Sequence, residues 1–170
     1  SYQETIKNDN NSAIKTVLDN WYKANILDKG YSSYIADSGF CNDRSLSPSS
    51  AGDGYSNTYT SKYAAVYREG QKSPSFICPN SSNDLFTLAG NNKGNESLVY
   101  PIGLITIDEI MYAGTVSGKI NKMTYTYSTR TYWTMTPYHY DVNNFDVRIW
   151  IPSQGGSLGY TMANLEYRVR

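Results

Sequence analysis

The amino-acid sequence predicts a single α+β domain over residues 1–170. Two segments combine helical spacing of apolar residues with capping residues. The C-terminal third alternates β-branched and aromatic residues between turns, as strands do. A chain of 170 residues buries about 70% of its unfolded surface on folding, which suits one domain. No internal repeat indicates a second domain.

Composition restricts the class of protein. The 15 basic and 15 acidic residues give no net charge, which argues against a nucleic-acid binder that works by bulk electrostatics. No stretch approaches the roughly 20 apolar residues of a membrane span. The 17 Tyr and 3 Trp supply core-forming area that the scarce aliphatic residues do not. A chain so rich in Tyr, Ser, Thr and Asn is typical of extracellular domains and of adaptable binding surfaces.

The first predicted helix runs from about Ser12 to Ile26. Ser12 is a favourable N-cap residue, and Gly30 stands where a C-terminal stop is expected. The apolar stripe of this helix consists of Ile14, Val17, Leu18, Trp21 and Tyr22.

The segment from residue 31 to residue 95 is dominated by turn residues. Both cysteines, Cys41 and Cys78, lie inside it. A disulfide between them would hold this irregular segment together and contribute roughly 3–4 kcal/mol by the loop-entropy model. The alternative is two buried free thiols. Together with His139, the only histidine, the cysteines show no spacing typical of a zinc site.

The second half of the chain is predicted to contain one more helix and five strands. Thr106 and Glu109 form a capping-box pattern that begins a short helix, which Gly114 ends. A glycine-rich turn at 155–157 is typical of a hairpin. The predicted strands are Leu98–Ile105, Met123–Tyr127, Thr131–Thr136, Phe145–Ile151 and Glu166–Arg170.

Several segments resemble a known family. They are Phe40–Ser45 (FCNDRS), Tyr100–Ile110 (YPIGLITIDEI) and Tyr132–Pro137 (YWTMTP), together with the helical VLDNWY at 17–22 and the closing YRVR at 167–170. They are similar to surface-associated proteins of gut Firmicutes and related bacteria, a group without an assigned activity. The domain of that group resembles the C-type lectin fold, which formylglycine-generating enzymes and retroelement variable proteins also use.

The resemblance implies two helices packed on a small twisted antiparallel sheet with long irregular loops. It also implies a place on the cell surface, with any leader or membrane anchor outside residues 1–170. In retroelement-diversified proteins of this fold, the binding surface lies in the C-terminal region. The residues implied as ligand contacts are therefore Tyr138, His139, Tyr140, Asp141, Asn143, Asn144, Tyr160 and Asn164. The alternative is that a Tyr-rich chain has Tyr-rich loops throughout.

Catalytic and metal-binding patterns are incomplete. Residues 155–159 match G-x-S-x-G, but no histidine follows them, as that hydrolase motif requires. Formylglycine-generating enzymes work through cysteines near the C-terminal end, and both cysteines here fall in the first half of the chain. Residues 141–146 cluster oxygen ligands but lack the glycine and the last glutamate of an EF-hand. We therefore expect no enzymatic activity, no cofactor and no metal.

The expected function is a non-enzymatic, cell-surface binding or adhesion module. Its partner would be a host or microbial surface protein or glycan, and not a nucleic acid. It would contact the membrane only through an anchor outside these residues. The alternative is a pilin-like or other structural surface subunit that assembles with copies of itself.

Overall fold

The computed structural model describes residues 12–52, 54, 58–88, 97–144 and 146–163. Within these ranges the predicted α+β class is confirmed, with four α-helices and two small antiparallel sheets. The helices are α1 (Ala13–Tyr22), α2 (Ala64–Gln71), α3 (Ser81–Asp84) and α4 (Ile107–Tyr112). The strands are β1 (Phe40–Cys41), β2 (Ser61–Lys62), β3 (Leu85–Phe86), β4 (Pro137–Asp141), β5 (Asp146–Pro152) and β6 (Leu158–Met162).

Both predicted helices are confirmed, and each begins at the predicted residue. The Ser12 side chain accepts a hydrogen bond from the Lys15 N–H, and α1 continues as a π-helical turn at Lys23–Leu27. At α4, Thr106 accepts from the Glu109 N–H at 3.2 Å, and the Glu109 carboxylate accepts from the Thr106 N–H at 2.7 Å. These local signals act over three or four residues, so the sequence alone reveals them.

Helix α2 was not predicted. Ala65 and Glu69 are its buried residues, so it presents one small and one charged residue to the interior instead of an apolar stripe. It contacts α4 and β4, and this packing stabilises a helix whose own amphipathic signal is weak.

The larger sheet has the strand order β2-β4-β5-β6, and all neighbouring strands are antiparallel. The hairpin between β5 and β6 confirms the predicted glycine-rich turn, where Gly156 adopts a φ of 82°. The smaller sheet pairs β1 with β3. Next to it, Arg44 donates to the Asp84 carboxylate at 2.7 Å and to the Asn83 carbonyl at 2.9 Å.

Three predicted strands are wrong. Residues 98–105 form no strand, although the Leu98 N–H donates to the Thr87 carbonyl beside an isolated bridge and the Ile105 carbonyl accepts from the Met135 N–H. Residues 123–127 form no strand because the chain turns there, with the Tyr127 N–H donating to the Thr124 carbonyl. Residues 131–136 are not a strand either, although Thr134 donates to Trp150 and Thr136 accepts from it just before β4 begins. The predicted strand at 145–151 is confirmed from Asp146 onward as β5, whereas Phe145 lies outside the described residues. The prediction for Glu166–Arg170 lies outside the described residues.

Two apolar clusters lie on opposite faces of the larger sheet, because successive strand residues point to opposite sides. The first joins Trp150 and Leu158 to α2 and α4 through Ala65, Ile107, Ile110 and Met111. The second consists of Tyr63, Tyr140 and Val147. Among the helices described, none has the length and apolar character needed to cross a membrane.

Candidate binding surfaces

A β-bulge in β4 brings consecutive residues to one face of the sheet. Pro137 lies opposite Ile149, whereas His139 lies opposite Arg148, so the register shifts between them. Tyr138 packs edge-to-face on Trp150, which shares its face with Arg148. Tyr138 and His139 therefore both point to the Trp150 side, as a bulge allows.

An aromatic stack occupies the centre of this face. The rings of Tyr138 and Tyr160 are nearly parallel, with centroids 4.0 Å apart. Tyr138 also meets Trp150 at 4.9 Å in an edge-to-face contact. The Tyr160 side of the stack is open, since this residue is 48% exposed. Burial and the neighbouring Tyr160 raise the pKa of Tyr138, so its hydroxyl stays protonated at neutral pH.

Charged side chains, together with His139 and Met162, continue the same face in cross-strand rows. Lys62, His139, Arg148 and Met162 lie opposite one another across four strands. Asp141 and Asp146 form the next row. Arg148 donates to Asp146 at 2.7 Å, and its guanidinium lies 5.7 Å from the Tyr160 ring centroid. We call the residues Lys62, Tyr138, His139, Asp141, Asp146, Arg148, Tyr160 and Met162 the sheet-face surface.

His139 is neutral at physiological pH on this surface. Burial lowers its pKa below 6.5, and the positive charges of Arg148 and Lys62 lower it further. A neutral imidazole offers one hydrogen-bond donor and one acceptor.

The structure brings together four of the implied contact residues, namely Tyr138, His139, Asp141 and Tyr160. The prediction that Tyr140 contacts a ligand is wrong, because its side chain is 0% exposed and lies inside the second apolar cluster. The alternation of β4 resumes after the bulge and turns this residue inward.

Asp141 continues the same face at the end of β4 and organises the turn that follows. Its carboxylate accepts from the Asn143 N–H at 2.9 Å and from the Asn144 side-chain amide at 2.7 Å. These hydrogen bonds, that from Asn144 first, lower the pKa of Asp141. Asn143 and Asn144 are exposed beside the sheet-face surface. Asn164 lies outside the described residues.

A separate cleft of about 540 Å³ was not predicted. Three of the five segments that carried the family resemblance line it. They do so through Phe40–Cys41 and Asp43, through Pro101 and residues 103–106, and through Met135–Thr136. Asp108 and Glu109 add carboxylates, whereas Phe76 and Ile77 form an exposed apolar wall. No local pattern in these three segments indicates that they meet, because they lie far apart in the chain.

The floor of the cleft is an ion triad. Arg68 donates to both oxygens of Asp108, at 2.8 and 2.7 Å, and to Asp43 at 2.8 Å. Asp43 also accepts from the N–H and the hydroxyl of Ser45, and Asp108 accepts from the Ser75 N–H at 2.9 Å. The carboxylates are thus held by hydrogen bonds, which suits a structural role better than acid–base chemistry.

The predicted disulfide is confirmed between Cys41 and Cys78, with Cα atoms 5.8 Å apart. It joins the exposed wall at Phe76–Ile77 to β1. The Phe76 ring also meets Tyr112 of α4 edge-to-face at 5.2 Å. The wall is therefore fixed at both sides.

Within the ranges that the structure describes, no three His, Cys, Asp or Glu side chains are grouped so that they could hold a metal ion. No family model, no curated protein and no solved structure matches this chain.

Proposed function

We propose that this chain is a non-enzymatic, cell-surface binding module of C-type-lectin-like fold that binds its ligand on the sheet-face surface. One observation carries the proposal: the β4 bulge places Tyr138 and His139 on the same face as Tyr160 and Arg148. The resulting surface combines an open aromatic ring with fixed polar groups, as binding sites commonly do.

A glycan is the ligand class that fits this surface. A sugar ring has an apolar C–H face, which the open side of Tyr160 can cover, and hydroxyl edges, which need both donors and acceptors. Arg148 supplies donors, Asp141 and Asp146 supply acceptors, and neutral His139 supplies one of each. The two carboxylates balance Lys62 and Arg148, so the surface favours a polar ligand over a strongly charged one.

The disulfide supports the proposed location. Disulfides persist in oxidising compartments, such as the outside of a cell, and are rare in the cytosol. A confirmed Cys41–Cys78 bond is therefore expected of a displayed domain.

The test is binding of the purified chain to a glycan array, with the variant Tyr160→Ala beside it. Tyr160 is about half exposed, so we expect the variant to fold and to lose at least tenfold in affinity for the glycans that the wild type binds. Tyr67→Ala is the matched control, because Tyr67 is 51% exposed on α2. Equal binding by wild type and Tyr160→Ala would contradict the site, and an array without any binding would contradict the ligand class.

A second candidate function is a structural subunit that assembles with copies of itself. The observation that favours it is a group of highly exposed apolar side chains, Ile120, Met123 and Tyr125, within six residues of one another. Exposed apolar groups of this kind are typical of protein contacts.

A further inference from the structure

The segment from 115 to 130, here called the basic loop, is both cationic and apolar. It carries Lys119, Lys122 and Arg130, and no Asp or Glu occurs anywhere between Glu109 and Asp141. Its apolar residues Ile120, Met123 and Tyr125 are 74%, 93% and 82% exposed. A neutral chain thus concentrates positive charge and exposed apolar area in one loop.

Hydrogen bonds hold the basic loop in one conformation. Asn121 donates through its backbone to Gly156 at 2.8 Å and through its side chain to Gly114 at 3.0 Å. The hydroxyls of Thr115, Thr124 and Thr126 form a chain with distances of 3.2 and 3.1 Å. An ordered loop loses little conformational entropy when it binds, which favours its use as a contact element.

The cleft has the complementary character. Its charged lining residues are Asp43, Asp108, Glu109 and Arg68, so its formal charge is negative. Asp43 and Asp108 are already paired with Arg68, whereas Glu109 is exposed at the rim. Phe76 and Ile77 add an apolar wall that the disulfide and Tyr112 hold in place. An apolar segment that carries lysines would match both the wall and the rim.

No residue of the basic loop lines the cleft of its own chain. The cleft includes the first turn of α4, whereas the loop begins beyond the last turn of that helix. We propose that the basic loop of one copy docks into the cleft of a second copy, with Ile120 and Met123 against the Phe76–Ile77 wall and Lys122 near Glu109. This inference deepens the self-assembly function proposed above and does not depend on glycan binding.

The contact would be head-to-tail, because it joins two different surfaces. A dimer would keep one free cleft on the copy whose loop is bound and one free loop on the other copy, so the assembly would grow into a filament or close into a ring. The chain has no net charge, so no overall repulsion opposes this growth.

The test measures self-association of the wild-type chain by sedimentation over a range of concentrations. The loop variant Met123→Asp and the cleft variant Ile77→Lys change exposed side chains, so both should fold. We expect each variant alone to associate at least tenfold more weakly than the wild type. Glu109→Gln preserves a side chain that suits the capping box and should weaken association by a smaller factor. Tyr67→Asp is the control outside both surfaces and should associate as the wild type does.

Mixing the two variants gives the decisive result. Met123→Asp keeps an intact cleft and Ile77→Lys keeps an intact loop, so an equimolar mixture should form a dimer and nothing larger. A mixture that stays monomeric would overturn head-to-tail docking, as would undiminished association of either variant. A wild type that stays monomeric up to about 1 mM would also overturn it. Glycan binding by the same variants is measured separately. It distinguishes failure of the docking proposal from failure of the sheet-face surface as a glycan-binding site.

Discussion

Arg68 donates two parallel hydrogen bonds to Asp108, from Nε to Oδ1 at 2.8 Å and from Nη2 to Oδ2 at 2.7 Å. The pair joins α2 to α4, and the third guanidinium nitrogen reaches Asp43 after β1. Burial opposes the charge of Arg68, but the hydrogen bonds and charges of Asp108 and Asp43 outweigh it and raise the pKa of the guanidinium. One arginine thus connects three elements that are separate in the sequence.

Arg68→Met should lower the free energy of unfolding by about 3 kcal/mol, because it leaves two largely buried carboxylates without their partner. Arg68→Lys should lower the free energy of unfolding by less, since it keeps the charge but loses the bidentate geometry. Urea unfolding measures both. Arg130→Met is the control. Because Arg130 is exposed, its free energy of unfolding should change by no more than about 0.5 kcal/mol. Equal stability of Arg68→Met and Arg130→Met would contradict the role of the triad.

Removing the disulfide by the double change Cys41→Ala and Cys78→Ala should destabilise the chain by about 4 kcal/mol. The bond closes a loop with a sequence separation of 37, and this value follows from the entropy of that loop in the unfolded chain. Urea unfolding of the variant and of the wild type, with and without a reducing agent, measures the effect. A wild type whose stability did not change on full reduction would show that the bond only restrains the native cleft.

His139 should make stability depend on pH between neutral and mildly acidic conditions. Burial, Arg148 and Lys62 lower its pKa in the folded chain, while Asp141 and Asp146 act in the opposite direction more weakly. The unfolded chain therefore takes up the proton first as pH falls through about 6.5. The free energy of unfolding should fall over this range in the wild type and fall less in His139→Gln. Urea unfolding at pH 7.5, 6.5 and 5.5 compares the two, and parallel curves would refute the prediction.

Tyr140→Ala and Tyr160→Ala should differ strongly in stability although the residues lie on neighbouring parts of one sheet. Tyr140 is fully buried, so its truncation should cost about 3–5 kcal/mol, as large-to-small changes of buried aromatic residues do. Tyr160 is about half exposed, so its truncation should lower the free energy of unfolding by less than half as much. Thermal unfolding measures both. A similar loss in the two variants would mean that Tyr160 belongs to the core and not to a binding surface.

Gly54→Ala should be more damaging than Gly118→Ala. Both glycines have positive φ, at 79° and 73°, so both variants carry a backbone penalty of about 1–2 kcal/mol. An added Cβ at Gly54 would lie 2.1 Å from the Arg44 carbonyl oxygen, whereas one at Gly118 meets nothing within 4 Å. The difference between the two free energies of unfolding isolates the steric clash, and equal values would contradict it.

The elements predicted correctly are those with short-range signals. Ser12 begins α1, and the reciprocal bonds of Thr106 and Glu109 begin α4. Strand β5 alternates between half-buried and buried residues from Asp146 to Ile149, and its last three residues are all buried. Segments 98–105 and 123–127 have strand-like composition, yet they find no partner strand in the described sheet. Composition cannot supply a partner, since strand pairing depends on distant residues.

Local chemistry and composition were enough to predict the α+β class, the two capped helices, the glycine-rich turn after β5 and the candidate cysteine pair. Which residues share a surface, in contrast, depends on the tertiary structure. The β4 bulge separates Tyr138 and His139 from the buried Tyr140, and Arg68 assembles the cleft from three distant segments. Both depend on register and on contacts between residues far apart in the chain, and no local pattern encodes these.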